Sequence, residues 1–297
     1  MIHEAVQAVQ EFGSDCILVK RDFESAFRNI PVSHIDSPLL GFQWGNSYYT
    51  ERILPFELRI APYLFNLFAE VFHWIVEAEL GEWNIQARII RVLDYFLLVL
   101  PPGTCTQEIG EIFTELCEAV GLSIKTSKNE EGCRTCFGGV ELNTKEMVMR
   151  LPTKKLQKAR LLVQSNSDWK SVTLLDLQQI TRYLNFVAIV VPLGRTFLRR
   201  LYNMELYFPG SGQYQRRWLS SEARKDIDWW WEALAGKPER SILTRVRQTI
   251  STWSDAARTK GLGGYYTCET QPLPQPNSVF AIVLPNNPTR QREHINT

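Results

Sequence analysis

The stretch "IIRVLDYFLLVL", residues 89–100, constrains this chain more than any other. It sets one carboxylate, Asp94, in a run otherwise apolar except for Arg91, with Tyr95 as its neighbour. An isolated carboxylate in such a run costs several kcal/mol unless it is paired, ligated or neutralised. The apolar runs 88–93 and 96–100 read as the arms of a hairpin whose tight turn, Asp94-Tyr95, carries the carboxylate. A second carboxylate, Asp22, ends the β-branched run "CILVKRDF". Two such strands side by side can hold both carboxylates a few ångströms apart.

The pattern around these strands predicts α+β architecture. "IHEAVQAVQEFG" has apolar residues at 2, 5, 6 and 9, a helical spacing, with Gly13 as its stop. "LLGFQWGNSYYTERI" reads as a hairpin turning at Gly45-Asn46. A long apolar helix follows Pro62, and "TQEIGEIFTELCEAVG" is an amphipathic helix ending at Gly121. "TCFGGVELN" and "EMVMRL" read as a second hairpin. Residues 1–150 are therefore expected to form an antiparallel sheet with helices packed on one face.

Residues 153 to about 235 read as helical. Thr153 can cap "KKLQKARLLV", and Thr173 with Asp176 forms a capping-box-like start. Leu177, Ile180, Leu184 and Val187 trace an apolar stripe, and the three tryptophans of "DIDWWWEAL" read as core. "PGSG" at 209–212 is a linker candidate. "TISTWSDA", "LGGYYTCE" and "SVFAIVL" read as three further strands.

Composition adds exclusions. The 297 residues suffice for about two domains, with ordinary apolar (44%) and charged (22%) fractions. The start has no secretory-signal pattern, and the longest apolar runs, 89–100 and 186–194, are too short to span a bilayer, so an intracellular, reducing setting without membrane is expected. A net charge of +1 neither favours nor disfavours nucleic acid. The basic clusters "TKKLQKAR" (153–160), "GRTFLRR" (194–200) and "QRR" (215–217) each read singly as solvated helix faces. Of the six cysteines only Cys133 and Cys136 form a CxxC, without a second pair at zinc spacing, so all read as reduced thiols. The four histidines are scattered.

Two carboxylates on adjacent strands suit a divalent metal, since Mg²⁺ takes oxygen ligands and usually binds one or two carboxylates plus phosphates. Paired ions can clamp the attacking and leaving oxygens of phosphoryl transfer. The plainer alternative is a strand-end Asp22 and a turn-forming Asp94, and composition alone favours it.

The local sequences resemble, in order, the motifs of reverse transcriptases of gypsy-like and DIRS-type retrotransposons. "VKRDFESAFRNIPV" (19–32) is similar to their first catalytic motif, and "LPFELRIAPYLFNLFAE" (54–70) to the second, usually LPFGL-x-x-AP. "VLDYF" (92–96) stands in the place of YxDDF. "GLSIKTSKNEEG" (121–132) and "CFGGVELN" (136–143) resemble the next two. "LNFVAIVVPLGRTFLRRLY" (184–202) is similar to the helical stretch after the palm in DIRS-type enzymes, and "STWSDAARTKGLGGYY" (251–266) to the opening of a ribonuclease H domain.

The resemblance implies a palm over 1–150, thumb-like helices over 151–205, a helical connection over 206–245 and a truncated ribonuclease H-like sheet over 246–297. It implies RNA-directed DNA synthesis with Mg²⁺ or Mn²⁺, acting on RNA/DNA template-primer and dNTP. Asp22 and Asp94 match metal-binding catalytic aspartates. Ser25 and Ala26 match the triphosphate-contacting backbone, and Phe27 the residue under the incoming sugar. Pro55 and Phe56 match the nucleotide-pocket wall, and Lys128 the basic residue near the phosphates. Asp255 matches the first ribonuclease H carboxylate.

The departures carry equal weight. The second aspartate of the paired motif is Tyr95, and a phenol with a pKa near 10 is a poor Mg²⁺ ligand at neutral pH. The preceding family tyrosine is Val92, and the glycine of the second motif is Glu57, a bulky anion where phosphates approach. The finger strands that normally precede the helix at 2–12, and the remaining ribonuclease H carboxylates, are expected to be absent. Two functional readings follow: a weakened or silent polymerase, and a catalytically dead nucleic-acid-binding or interaction remnant. Glu24 is a minor candidate to replace the lost ligand, since residues two apart on a strand share a face.

Overall fold

The structure, a computed structural model, describes residues 1–167, 171–208, 214–243, 250–257, 261–268 and 278–282. The chain divides into two compact units, residues 1–243 and 244–297.

The first unit opens with helix α1 (Ile2–Phe12), stopped by Gly13 at a φ of 82° that glycine adopts without steric cost. Strand β1 (Ile17–Asp22) follows, then a 3-10 turn over Ala26–Asn29. Strands β2 (Gly41–Trp44) and β3 (Ser47–Thr50) form the expected hairpin about Gly45-Asn46. Helix α2 (Ala61–Glu82) starts with Pro62 in its first turn, where a missing N–H costs nothing.

Strands β4 (Arg88–Val92) and β5 (Tyr95–Leu100) form the hairpin that carries Asp94. Its turn is Leu93-Asp94, one residue earlier than the expected Asp94-Tyr95. Tyr95 belongs to β5 because an aromatic residue suits a strand, and the shift forces Leu93 to a φ of 51°.

Helix α3 (Thr106–Ala119) leads to β6 (Glu130–Gly132), and the central sheet runs β4-β5-β1-β6, all neighbours antiparallel. Helices cover both faces of this sheet, not one as expected. Leu18, Leu97 and Val99 point into a core shared with Ala5, Ala8 and Val9 of α1. Val19, Phe96, Leu98 and Leu100 point into a second core with Phe65, Phe72 and Val76 of α2 and Ile109 and Phe113 of α3. The continuous apolar run of β5 demands this, because alternate residues of a strand face opposite sides.

Strands β7 (Arg134–Phe137), β8 (Val140–Asn143) and β9 (Val148–Arg150) make a meander. "TCFGGVELN" is thus a hairpin by itself, turning at Gly138-Gly139 with φ values of 55° and 82°, and "EMVMRL" adds the third strand.

Helix α4 (Thr153–Ser167) begins at Thr153 itself, and the Pro152 carbonyl, not the threonine side chain, accepts its first amides. After β10 (Ser171–Val172), helix α5 (Leu174–Val187) carries the expected capping box between Thr173 and Asp176. Its stripe Leu177, Ile180, Leu184 and Val187 is fully buried.

Helix α6 (Arg199–Glu205), β11 (Arg217–Trp218), α7 (Ser221–Ala235) and β12 (Glu239–Ser241) complete the unit. β12 extends the meander beside β9. Of the α7 tryptophans, Trp230 is core, Trp229 stacks on Phe197 at 3.9 Å and Trp231 faces solvent. The "PGSG" linker candidate lies outside the described residues.

The second unit contains β13 (Ile250–Ala257), β14 (Gly261–Cys268) and β15 (Ser278–Ile282) in one antiparallel sheet, matching the three expected strands. Asp255 lies on β13 opposite Gly263, and its side chain is outside what the structure describes. Among the described residues no helix is long and apolar enough to cross a membrane.

Candidate active site

The sheet brings the two aspartates together. Asp22 closes β1 and pairs in register with Tyr95, the first residue of β5. The Phe23 amide donates to the Asp94 carbonyl at 3.1 Å, so the turn is fastened to the end of β1. Asp22 is 1% exposed and Asp94 is half-buried. Burial pushes the Asp94 carboxyl above its usual range, with the Asp22 charge adding and Lys128 opposing.

A third segment is zipped to the same edge. The Glu24 amide donates to the Ser123 carbonyl at 2.7 Å, and the Lys125 amide to the Asp22 carbonyl at 2.8 Å. Phe23 and Ile124 form a β-bridge between them. A short turn over Thr126–Lys128 then returns the Lys128 side chain over the site. Its ammonium forms an ion pair with Asp22 Oδ2. It also donates to the Tyr95 hydroxyl at 3.2 Å and lies 5.2 Å from the Tyr95 ring centroid. These partners, Asp22 first and Tyr95 next, push the Lys128 pKa above its usual range.

Arg91, the other charge in the opening run, turns to α2. It donates to Asn66 at 2.8 Å and lies 3.6 Å from Glu70. It takes no part in the Asp22–Lys128 pair.

The residues matched to a nucleotide pocket gather nearby. Ser25, at a φ of 51°, opens the 3-10 turn that holds buried Ala26 and half-buried Phe27. Phe27 meets Phe56 at 5.9 Å and Phe65 at 5.7 Å, both edge-on. Pro55 is half-buried beside exposed Phe56. The Leu54 amide donates to the Ile30 carbonyl at 2.9 Å, which holds the segment to the first motif. Glu57 is exposed and keeps a φ of 65°, backbone that a glycine adopts freely. Glu24 is exposed beyond the end of β1, so strand alternation does not carry it to the Asp22 face.

Two further lysines were not candidates in the sequence pattern. Lys20, Tyr95, Lys128, Gly138, Gly139 and Lys155 line one cleft of about 440 Å³. Lys20 is paired with Glu130 at 2.7 Å, and Lys155 lies 4.5 Å from the Phe186 ring centroid. The only sequence signal was the basic cluster 153–160, which contains Lys155. Elsewhere, burial pushes the Cys16 thiol up to about 11 and Cys117 up to about 12, so neither is a ready nucleophile at neutral pH.

An antiparallel sheet with carboxylates at the tips of neighbouring strands, backed by helices, defines a palm-type fold. A family model described as reverse transcriptase (RNA-dependent DNA polymerase) matches residues 1–180, and the chain belongs to this family. Solved structures of foamy viral protease-reverse transcriptase share the fold. Two complexes with double-stranded DNA each give a TM-score of 0.61 at 15% identity over 95% of this chain, covering 45% and 54% of theirs. A complex with an RNA/DNA hybrid gives 0.59 at 16% identity over 95% of this chain and 35% of that one. The chain thus spans about half or less of the length of these neighbours. No curated protein matches the sequence.

The family generally uses divalent metals. The residues present do not fit a pair of such ions. Among the described residues no group of three or more His, Cys, Asp and Glu side chains could hold one. Beside Asp22 and Asp94 stands the Tyr95 phenol, a poor ligand for a hard divalent ion, and the Lys128 ammonium already neutralises Asp22.

Proposed function

We propose that the chain is a retroelement-derived reverse transcriptase domain, of the gypsy-like and DIRS-type kind, whose nucleotidyl-transfer site is weak or silent. The single observation that carries this reading is Tyr95. It stands in register with Asp22 where a metal-binding aspartate is expected, and its hydroxyl is committed to Lys128. If the lost ligand supplied only about 3 kcal/mol of transition-state stabilisation, the rate falls roughly a hundredfold. Glu57 adds a charge that repels phosphates at the second-motif turn.

The ancestral partners are RNA or DNA template-primer and dNTP. Support for nucleic acid comes from the foamy viral neighbours, solved with double-stranded DNA and with an RNA/DNA hybrid. The basic clusters 153–160 and 194–200 favour retained binding of such a polymer. On this reading Ser25 and Ala26 turn backbone toward a triphosphate, Phe27 and Phe56 wall the sugar and base, and Asp22 and Asp94 are the inherited catalytic carboxylates. Residues 246–297 are the start of a ribonuclease H-like segment with Asp255 as its first carboxylate. The reduced thiols suit an intracellular, reducing setting.

Primer extension tests the proposal. The expected result is little or no extension above an Asp22→Ala control in Mg²⁺ or Mn²⁺, together with template-primer binding that weakens steeply with salt. Extension by the unmodified chain that Asp22→Ala abolishes and that Tyr95→Asp does not increase overturns it.

A further inference from the structure

We propose that Lys128 is the resident cation of the Asp22–Asp94 site and that it excludes a divalent metal from that site. The inference rests on the reading of Asp22 and Asp94 as the inherited polymerase carboxylates, and it specifies what now occupies their place.

Burial states the need. Asp22 is 1% exposed, and a buried carboxylate requires a counter-charge. Lys128 supplies it directly at Asp22 Oδ2. The ammonium does not arrive on a loose surface arm. Its loop is tied to β1 through Glu24–Ser123, Phe23–Ile124 and Lys125–Asp22, and the Lys128 amide closes the turn on the Lys125 carbonyl at 3.0 Å. The backbone share of the entropy of holding the pair is therefore already met, which leaves the lysine's own rotamer entropy.

Tyr95 explains why the lysine stays. Its hydroxyl accepts from the ammonium at 3.2 Å and its ring lies 5.2 Å away, within reach of a cation–π contact. An aspartate there would offer the hydroxyl's acceptor role but not the ring. It would also bring the local carboxylates to three, which favours a divalent ion. With tyrosine, Asp22, Asp94 and Lys128 sum to one negative charge. A divalent ion added to that set would leave a net positive charge in a site that is partly closed to water. Metal and lysine therefore compete for the same oxygen.

The test is Mn²⁺ binding to the intact chain, read from the electron paramagnetic resonance of free Mn²⁺. The unmodified chain is expected to bind no better than Asp22→Asn/Lys128→Met. Lys128→Met alone is expected to bind at least about tenfold tighter than the unmodified chain, because a like charge beside the ion is gone. Equal binding by Lys128→Met and the unmodified chain overturns the proposal. Tight binding by the unmodified chain does so too. If Lys128→Met does not fold, Tyr95→Asp carries the test, since it adds a carboxylate and removes the second anchor of the ammonium. Its Mn²⁺ affinity is expected to rise by a similar factor, and no rise overturns the proposal. Primer extension is scored separately: extension by the unmodified chain that Tyr95→Asp does not increase overturns the functional reading, whereas the Mn²⁺ comparison decides Lys128.

Discussion

The wall behind the Asp22–Asp94 pair and the rim in front of it are built differently. The wall is aromatic: Phe23, Phe72, Phe96 and Phe113 pack at centroid distances of 5.3–6.4 Å, mostly edge-on or tilted. The rim carries Tyr95 and the exposed Glu57, with Lys128 bonded to Asp22 and to the Tyr95 hydroxyl. Packing depends on shape and volume, so the wall holds β1 and β5 in register whatever stands at the rim. Chemistry depends on single atoms, so one exchange at Tyr95 alters what the same backbone can bind. The frame and the chemistry of its rim are separable properties of this chain.

The difference can be broken from either side. The largest effect is expected from the wall: Phe96→Ala, at a fully buried position touching Phe23, Phe72 and Phe113, should cost about 3–5 kcal/mol in chemical denaturation. A loss below about 1 kcal/mol would show that the wall does not hold the frame.

Next comes the ion pair. Lys128→Met should cost about 1–3 kcal/mol, less than a fully buried pair because the lysine side chain is partly exposed. Asp22→Asn/Lys128→Met should recover most of it, and a double-mutant cycle measures the coupling. Purely additive losses would show that the two side chains do not stabilise each other.

Tyr95→Phe is expected to do less. It keeps the ring and removes only the acceptor of the Lys128 bond, so about 0.5–1.5 kcal/mol should be lost. The smallest effect is expected at Glu57→Gly. Relief of the left-handed backbone should raise the denaturation midpoint, by no more than about 1 kcal/mol after the added freedom of the unfolded chain. A clear loss of stability would mean that the glutamate side chain supports the turn.

How much of this was legible in the sequence follows from range. The Thr173–Asp176 capping box and the Leu177–Val187 stripe are local, and periodicity exposes them. The adjacency of Asp22 and Asp94 was legible because each ends an apolar strand run. The hairpin turn slipped by one residue because Asp94 reads as a turn former, while the register of Val92 with Tyr95 left Leu93 to take the positive φ. The coverage of both sheet faces was written in the unbroken run of β5 but was assigned to one face. The Lys128–Asp22 pair was not legible, since it joins segments far apart in the chain and spacing carries no signal for it. Lys128 could be marked as basic and near the site, but not as the partner of an aspartate.

The most direct measurement is a crystal structure of the full chain soaked in Mn²⁺, with anomalous scattering recorded at the Asp22–Asp94 edge. The expected result is the Lys128 ammonium on Asp22 and the Tyr95 hydroxyl, with no manganese peak between the two aspartates. A manganese peak bridging Asp22 and Asp94, with Lys128 swung away, would contradict it.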